Sequence, residues 1–413
     1  MANDWVECML GEQVTLQRGF DITKATQREG RVPVISSGGI SSYHDEAMEE
    51  GPGVILGRKG VVGSVFFVES PYWPHDTTLW VRDFHGNDPR FVYYFFRWMA
   101  PTLAGLDVGS ANPTLNRNHV HPTRVCWPPV NEQRRIAAIL AALDDKIDVN
   151  RRMSETLEAT TRALFQSWLV DFDPVRAKAE GRDAGLPSHF ADLFPNSFGD
   201  SELGDIPAGW QVRAVADLAQ VVGGSTPSTA EPEFWANGVH HWATPKDLAP
   251  LTIPVLLDTE RLVTDIGLAQ ISSGLLPPGT VLLSSRAPIG YLALAAVPVA
   301  INQGFIAMRP APSVPSEFLL LWAHFARDEI VSRANGSTFL EISKASFRPI
   351  PIVRPPDAVL AAFGSLVRPL FDRIVASARE SRTLAALRDA LLPRLISGEL
   401  RIPASASPAE SVT

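Results

Sequence analysis

Two basic side chains held between glycines, Gly57-Arg58-Lys59-Gly60, are the first groups in this chain with evident binding chemistry. A guanidinium fork matches paired acceptors such as a guanine edge, and an ammonium suits a phosphate. A basic turn facing only water is the other reading. Arg286 stands 227 residues after Lys59. Asn116-Arg117 and Ser343-Lys344 are a second matched pair at that step, and polar plus basic residues there could hold phosphates. Asn302-Gln303 could read adenine bidentately or cap a turn; their counterpart is His75-Asp76. Ser36, Ser37, Lys24 and Lys246 complete the candidates. Trp5, Trp73, Trp98, Trp210 and Trp242 could stack on bases, but core packing is the ordinary use of such side chains. Catalytic signatures are missing. No phosphate-binding Gly-x-x-x-x-Gly-Lys-Ser/Thr run exists, nor His-Glu-x-x-His. His119 with His121, and His240 with His241, lack ligands at zinc spacing. Asn112-Pro113-Thr114 departs from the Asn-Pro-Pro-aromatic motif of amino-methyltransferases. No cofactor and no metal are expected.

The elements that must position these residues occur twice. Val54-Ile55-Leu56 is echoed by Val281-Leu282-Leu283, and Pro128-Pro129 by Pro355-Pro356, at the same step of 227. The step holds without a gap from Gly109/Gly336 to Trp168/Leu395 and from Val54 to Arg82. Residues before Val54 match their counterparts poorly. A long internal repeat fixes architecture before any single residue does, and two related halves about a pseudo-twofold axis suit a DNA duplex. The expected fold is α+β. Two mixed α/β domains, 1–128 and 206–352, alternate with two long helical segments, 129–205 and 353–413. The Pro-, Gly- and Asp-rich stretch 171–209 reads as a linker.

Each helical segment follows a Pro-Pro. Ile136, Leu140, Leu143, Ile147, Leu157, Leu164 and Trp168 recur at 3–4 spacing, as do Phe363, Val367, Leu370, Ile374, Leu384, Leu391 and Leu395. That is a coiled-coil seam. Forty residues span about 60 Å. Asn131 and Asp357 are the N-cap candidates, Gly398 is the C-terminal stop, and Pro369 and Pro393 predict kinks or fraying. The helices are expected to pair antiparallel about a dyad near Asn150. Asn150 then meets Ser377, Leu143 meets Leu384, Leu157 meets Leu370 and Ile136 meets Leu391. Polar Asn150, Ser154, Ser377 and Ser381 either fix this register or face solvent where the stripe drifts.

Bulk properties narrow the class. Of 413 residues, 45% are hydrophobic, which describes packed domains. The two cysteines, Cys8 and Cys126, suggest a reducing compartment and no disulfide framework. No apolar run is long enough for a membrane span, and Met1 to Leu10 does not resemble a secretory signal. A cytoplasmic protein is the simple expectation. The net charge of −8 argues mildly against nucleic acid, but binding needs a local basic face, not a basic total. Segment 129–205 carries the largest acidic excess, so Asp144, Asp145, Asp148, Glu155 and Glu158 offer outer faces to a protein partner.

Several runs resemble the specificity subunits of type I restriction–modification systems. The entry Pro128-Pro129-Val130-Asn131-Glu132-Gln133-Arg134-Arg135-Ile136 is one. Others are Leu143-Asp144-Asp145-Lys146-Ile147 and Leu164-Phe165-Gln166-Ser167-Trp168-Leu169-Val170-Asp171-Phe172-Asp173-Pro174. The run Leu391 to Leu400 resembles the end of the second conserved region. Gly223-Gly224-Ser225-Thr226-Pro227 with Trp242 to Leu248 resembles one type of target recognition domain; Gly57 to Gly60 with Asp76-Thr77-Thr78 resembles another. The set spans essentially the whole chain in the family's order. It implies a non-catalytic subunit that reads a bipartite, asymmetric site in double-stranded DNA. Each globular domain takes one half-site, and the paired helices hold the two at fixed separation, within reach of half-sites about 34 Å apart. The family further implies docking of two methyltransferase subunits on the helices and of restriction motor-nuclease subunits in the same assembly. A coiled-coil scaffold whose globular domains bind proteins, and an enzyme with an unrecognised active site, are the rival readings.

Overall fold

The computed structural model describes residues 4–106, 114–336 and 340–403; the Asn112-Pro113 portion of the run above lies outside them. Two compact units emerge, one of residues 1–148 with 382–413, the other of 149–381.

In unit 1 the strand Val6–Met9 pairs antiparallel with Arg124–Trp127. A four-stranded sheet runs in the order Thr15–Arg18, Thr78–Asp83, Gly53–Gly57, Val65–Val68, and a three-stranded one in the order Gly39–His44, Val32–Ser36, Trp73–Pro74. The central strand Gly53–Gly57 is buried at every position, as a strand covered on both faces must be. The helix Pro89–Gly105 starts on Asp88, whose side chain accepts the Phe91 N–H, and it buries Phe91, Phe95, Phe96 and Met99. These pack with Leu16, Val54 and Leu79, with Ile136 and Leu140 of the first long helix, and with Leu392, Leu395 and Ile396 of the second.

Unit 2 repeats the plan. Gln211–Ala214 pairs with Pro351–Arg354. A five-stranded sheet runs Ala219–Val222, Phe305–Pro310, Val281–Ser284, Leu292–Ala295, Val255–Leu256; a three-stranded one runs Arg261–Val263, His240–Ala243, Val299–Ile301. The poor match before Val54 is resolved as a shift of step. Trp5/Trp210, Glu12/Asp217 and Gly19/Gly224 correspond at 205, and the parallel pairings Val34↔Trp73 and Trp242↔Ala300 align Val34 with Trp242 at 208. Unit 2 then inserts the helix Pro245–Leu248 and the strand Val255–Leu256 between the strands that in unit 1 form a direct hairpin, Val32–Ser36 to Gly39–His44.

The long helices are Val130–Phe165 and Asp357–Ile396. Neither expected side-chain cap is used. The Glu132 and Gln133 N–H groups bond the Pro129 carbonyl, and those of Val359 and Leu360 bond the Pro356 carbonyl, so the proline before each helix caps it and Asn131 already lies inside. The second helix runs unbroken through Pro369 and Pro393. Buried Val367 and Phe371 flank the first proline, and Leu392, Leu395 and Ile396 flank the second, so packing retains turns that lack a backbone donor. Gly398 ends it at φ 75°.

Antiparallel pairing holds within each unit. In unit 1 Asp144 meets Arg388 at 2.5 Å and Glu132 meets Arg401 at 3.2 Å; in unit 2 Asn150 meets Glu380 and Phe165 meets Phe363. Asn150 Nδ2 donates to Glu380 Oε2 at 2.8 Å, almost one turn beyond Ser377. Asn150, Ser154 and Ser377 are all buried, so they line the seam instead of facing solvent, and Ser154 Oγ returns its proton to the Asn150 carbonyl at 2.8 Å. The expected linker also proves to be packed. After a π-turn at Gln166–Val170, Phe172, Val175, Phe194 and Ile206 enter the core of unit 2 beside Trp168 and Trp210.

One buried charge distinguishes the units. Arg90 pairs with Asp145 at 3.6 Å, whereas its counterpart Glu317, with a side chain only 7% exposed, has Arg368 no nearer than 3.9 Å and leaves Oε2 without a partner. Burial pushes the Glu317 carboxyl above its ordinary range; a backbone hydrogen bond and Arg368 oppose this only in part, and Asp372 adds to it. A raised carboxyl contributes stability below its unfolded value and loses it as pH rises through the folded one. Glu317→Gln is therefore expected to raise the thermal midpoint at neutral pH. That gain should shrink in acid, and scans at both conditions check it.

Candidate nucleic-acid interface

Three loops meet at one corner of unit 1. The turn after Gly53–Gly57 carries Arg58 and Lys59, whose N–H groups both bond the Thr77 carbonyl, at 2.9 and 3.1 Å. The Arg58 carbonyl accepts the Leu115 N–H at 2.9 Å, and Lys59 bridges Thr114, which brings in Asn116 and Arg117. Gly57 has no room for a side chain, since a Cβ would lie 2.0 Å from the Val61 carbonyl oxygen. Ser37 joins through its N–H to Thr77 Oγ1 at 3.3 Å, and its carbonyl accepts the Ser64 hydroxyl at 2.7 Å. Ser36 serves the hairpin turn instead, bonding the Gly39 carbonyl. Asn116 Oδ1 caps the short helix Arg117–Val120 through the Asn118 N–H, and an Arg117 guanidinium nitrogen lies 3.5 Å from the Leu16 carbonyl. Lys24 is exposed on a separate loop, with no described bond to this corner.

Asp76 anchors the floor. Arg18 reaches it at 2.7 Å and His75 at 3.2 Å. Burial would raise this carboxyl, but the Arg18 hydrogen bond and the charges of His75, Arg18 and Lys59 hold it below the usual range. Burial and the nearby Arg18 charge lower the half-buried Arg58 guanidinium. Asp21, His75 and Asp76 bring three possible ligand atoms within 4.8 Å; Arg18 already supplies a cation to this group.

Unit 2 builds the same corner with other side chains. The Ser285 N–H bonds the Gly304 carbonyl at 2.8 Å, and the Ser285 carbonyl accepts the Ile342 N–H at 3.0 Å. These are the counterparts of the Arg58–Thr77 and Arg58–Leu115 bonds. Arg286 bridges Glu341 and pairs with it at 3.6 Å. Ser343 Oγ caps the helix Lys344–Phe347. Lys344 lies over Gly223, where a Cβ would approach its Nζ to 3.2 Å. Asn302 Oδ1 accepts the Gly304 N–H at 2.8 Å and Gln303 Oε1 accepts the Thr226 hydroxyl at 2.6 Å. Each amide oxygen thus spends one of its two lone pairs inside the corner. Lys246 is exposed on the short helix whose Pro245 abuts Gly304.

Sequence reasoning passed over Arg18 and Asp21, which precede the shift of step; alignment at 205 places Asp21 opposite Thr226 of the Gly223–Pro227 run. Trp5, Trp210 and Trp242 are buried and serve packing. The acidic outer face is smaller than expected. Asp144 is held by Tyr94, Arg97 and Arg388, and Glu158 is largely covered and paired with Arg162, while Asp145 and Glu155 remain well exposed. No described helix is long and apolar enough to cross a membrane.

Two α+β units with matching three-loop corners, served by two long helices, define a duplicated recognition-module protein. The chain belongs to the type I restriction modification DNA specificity domain family, whose model matches residues 2–159 and 207–359. It is 38% identical over 355 residues to the type I restriction enzyme MjaIX specificity subunit of Methanocaldococcus jannaschii, covering 84% of this chain and 78% of that one. It is 26% identical over 351 residues to the HindI specificity subunit of Haemophilus influenzae, covering 74% of each. Its fold resembles the crystal structure of the type I restriction-modification S subunit from M. genitalium, with a TM-score of 0.63 at 16% identity over 96% of this chain and 97% of that one.

Proposed function

We propose that this chain is the non-catalytic subunit that gives a type I restriction–modification complex its DNA sequence preference. In this reading, segments 1–128 and 206–352 are target recognition domains, each reading one half of a bipartite, asymmetric site. Segments 129–205 and 353–413 are the conserved helical regions. These dock two methyltransferase subunits and, through them, the restriction motor-nuclease subunits, with Asp145 and Glu155 on the exposed faces. The complex acts on double-stranded DNA in the cytoplasm. The observation that favours this reading is the pair of corners. One backbone scaffold recurs in both units, each time ringed by basic side chains, while the residues it presents differ.

Salt dependence tests it. Lysines that neutralise phosphates release counterions, and each contributes about 0.9 to the slope of log affinity against log salt. Lys59→Ala and Lys344→Ala, in the complex with the methyltransferase, are each expected to lower that slope by roughly this amount in a gel-shift series. A complex with no duplex affinity even at low salt would support the scaffold reading instead.

A further inference from the structure

Asp76 and Gln303 occupy one place in the repeated corner, 227 residues apart. Each precedes the residue whose carbonyl receives the turn, Thr77 from Arg58 and Gly304 from Ser285. Each also has the same neighbour position from the N-terminal part of its unit. Asp21 lies within 4.8 Å of Asp76 in ligand-atom distance, and Thr226, its counterpart at the step of 205, bonds Gln303. Their hydrogen-bonding characters differ. An ionised carboxylate only accepts, through about four lone-pair sites. Arg18 on Oδ2 and His75 near Oδ1 leave part of that capacity open. Gln303 spends one lone pair of its oxygen on the Thr226 hydroxyl, so its two amide N–H donors outnumber the lone pair that remains. Its surroundings reinforce this. Asn302 spends one lone pair of its oxygen on the Gly304 N–H and keeps its own N–H pair. The Asp247 carboxylate is taken up by Thr244 and by the Glu260 N–H.

We infer that position 76/303 sets the base preference of each unit: Asp76 selects a base edge bearing an exocyclic amino group, cytosine or adenine, and Gln303 selects an acceptor edge, guanine or thymine. This rests on the DNA-reading role proposed above. It gives that role a chemical reason for asymmetry, because one scaffold position offers an acceptor in one unit and donors in the other.

The test uses the full-length chain in complex with its methyltransferase partner. Single-molecule sequencing of the methylated DNA gives the motif. Fluorescence anisotropy on duplexes varied one base pair at a time gives the discrimination. Asp76→Asn is expected to reduce discrimination about tenfold at one base pair of one half-site, with the other half-site unchanged. Gln303→Glu is expected to do the same in the other half-site and to shift its preference toward an amino-bearing base. Gln303→Glu breaks no ion pair, so it decides the matter even if Asp76→Asn, deprived of its bond to Arg18, fails to fold. Unchanged preference at every base pair in Gln303→Glu overturns the assignment. A wild-type complex with no preference at all is a different result, and it overturns the DNA-reading role itself together with this inference.

Discussion

Phe363→Ala is expected to cost unit 2 about 3–5 kcal/mol, the range for emptying a buried aromatic site. The Phe363 side chain is fully buried. Its ring stands edge-on to Phe165 with centroids 5.9 Å apart and lies 6.4 Å from Trp168, which in turn packs against Phe194 at 5.1 Å. This cluster joins the end of the first long helix, the start of the second and the packed stretch that follows the π-turn. No flexible side chain borders the ring on these sides, so the cavity would relax little. Urea denaturation followed by tryptophan fluorescence measures the loss; a cost below about 1 kcal/mol would mean that the site collapses or that the helices are not seated this way.

In unit 1 the comparable prediction is polar. Gln133 is completely buried, and its amide is used on both sides. Oε1 accepts the Asp88 N–H at 2.9 Å; Nε2 donates to Asn87 Oδ1 at 2.7 Å and to the Pro128 carbonyl at 2.9 Å. Asn87 Oδ1 also receives the Trp127 indole N–H at 2.8 Å. Gln133→Leu keeps the volume but strands the Asp88 N–H and the Pro128 carbonyl, and about 1–3 kcal/mol is expected for each group left unsatisfied. Unit 2 carries Leu360 and Val314 at the matching positions. Asn87 also donates from Nδ2 to the Gln13 carbonyl at 2.8 Å, so adding Asn87→Val to Gln133→Leu should deepen the loss by stranding that carbonyl and the Trp127 indole N–H. Denaturation midpoints of the two single variants and the double variant check the order.

The long helices were legible because a 3–4 apolar spacing is a one-dimensional signal, and so was the duplication wherever the step of 227 holds. What escaped was tertiary. The caps fell to Pro129 and Pro356 because each helix leaves a strand directly, which composition cannot reveal. The bond from Asn150 to Glu380 escaped because apolar spacing carries no information on which polar side chains meet. Of the corner, the basic turn and its pre-helix partners could be read directly. Arg18 and Asp21 could not, because the added helix and strand of unit 2 moved their counterparts out of step. The motif residues Glu132 and Gln133 looked like a helix entry. Their bonds to Trp5, Arg401, Asn87 and Asp88 connect residues too far apart in sequence to be inferred from spacing.

The split of unit 1 into 1–148 and 382–413, around an uninterrupted unit 2, has a consequence for biosynthesis. A chain leaving the ribosome can close unit 2 once residue 381 has emerged. Unit 1, although begun first, still lacks Leu392, Leu395 and Ile396, and the face formed by Ile136 and Leu140 stays open until they arrive. Completion therefore runs opposite to the usual N-terminal-first order of domain folding, and nascent chains halted before the second helix ends would display unfinished apolar surface for chaperones to hold.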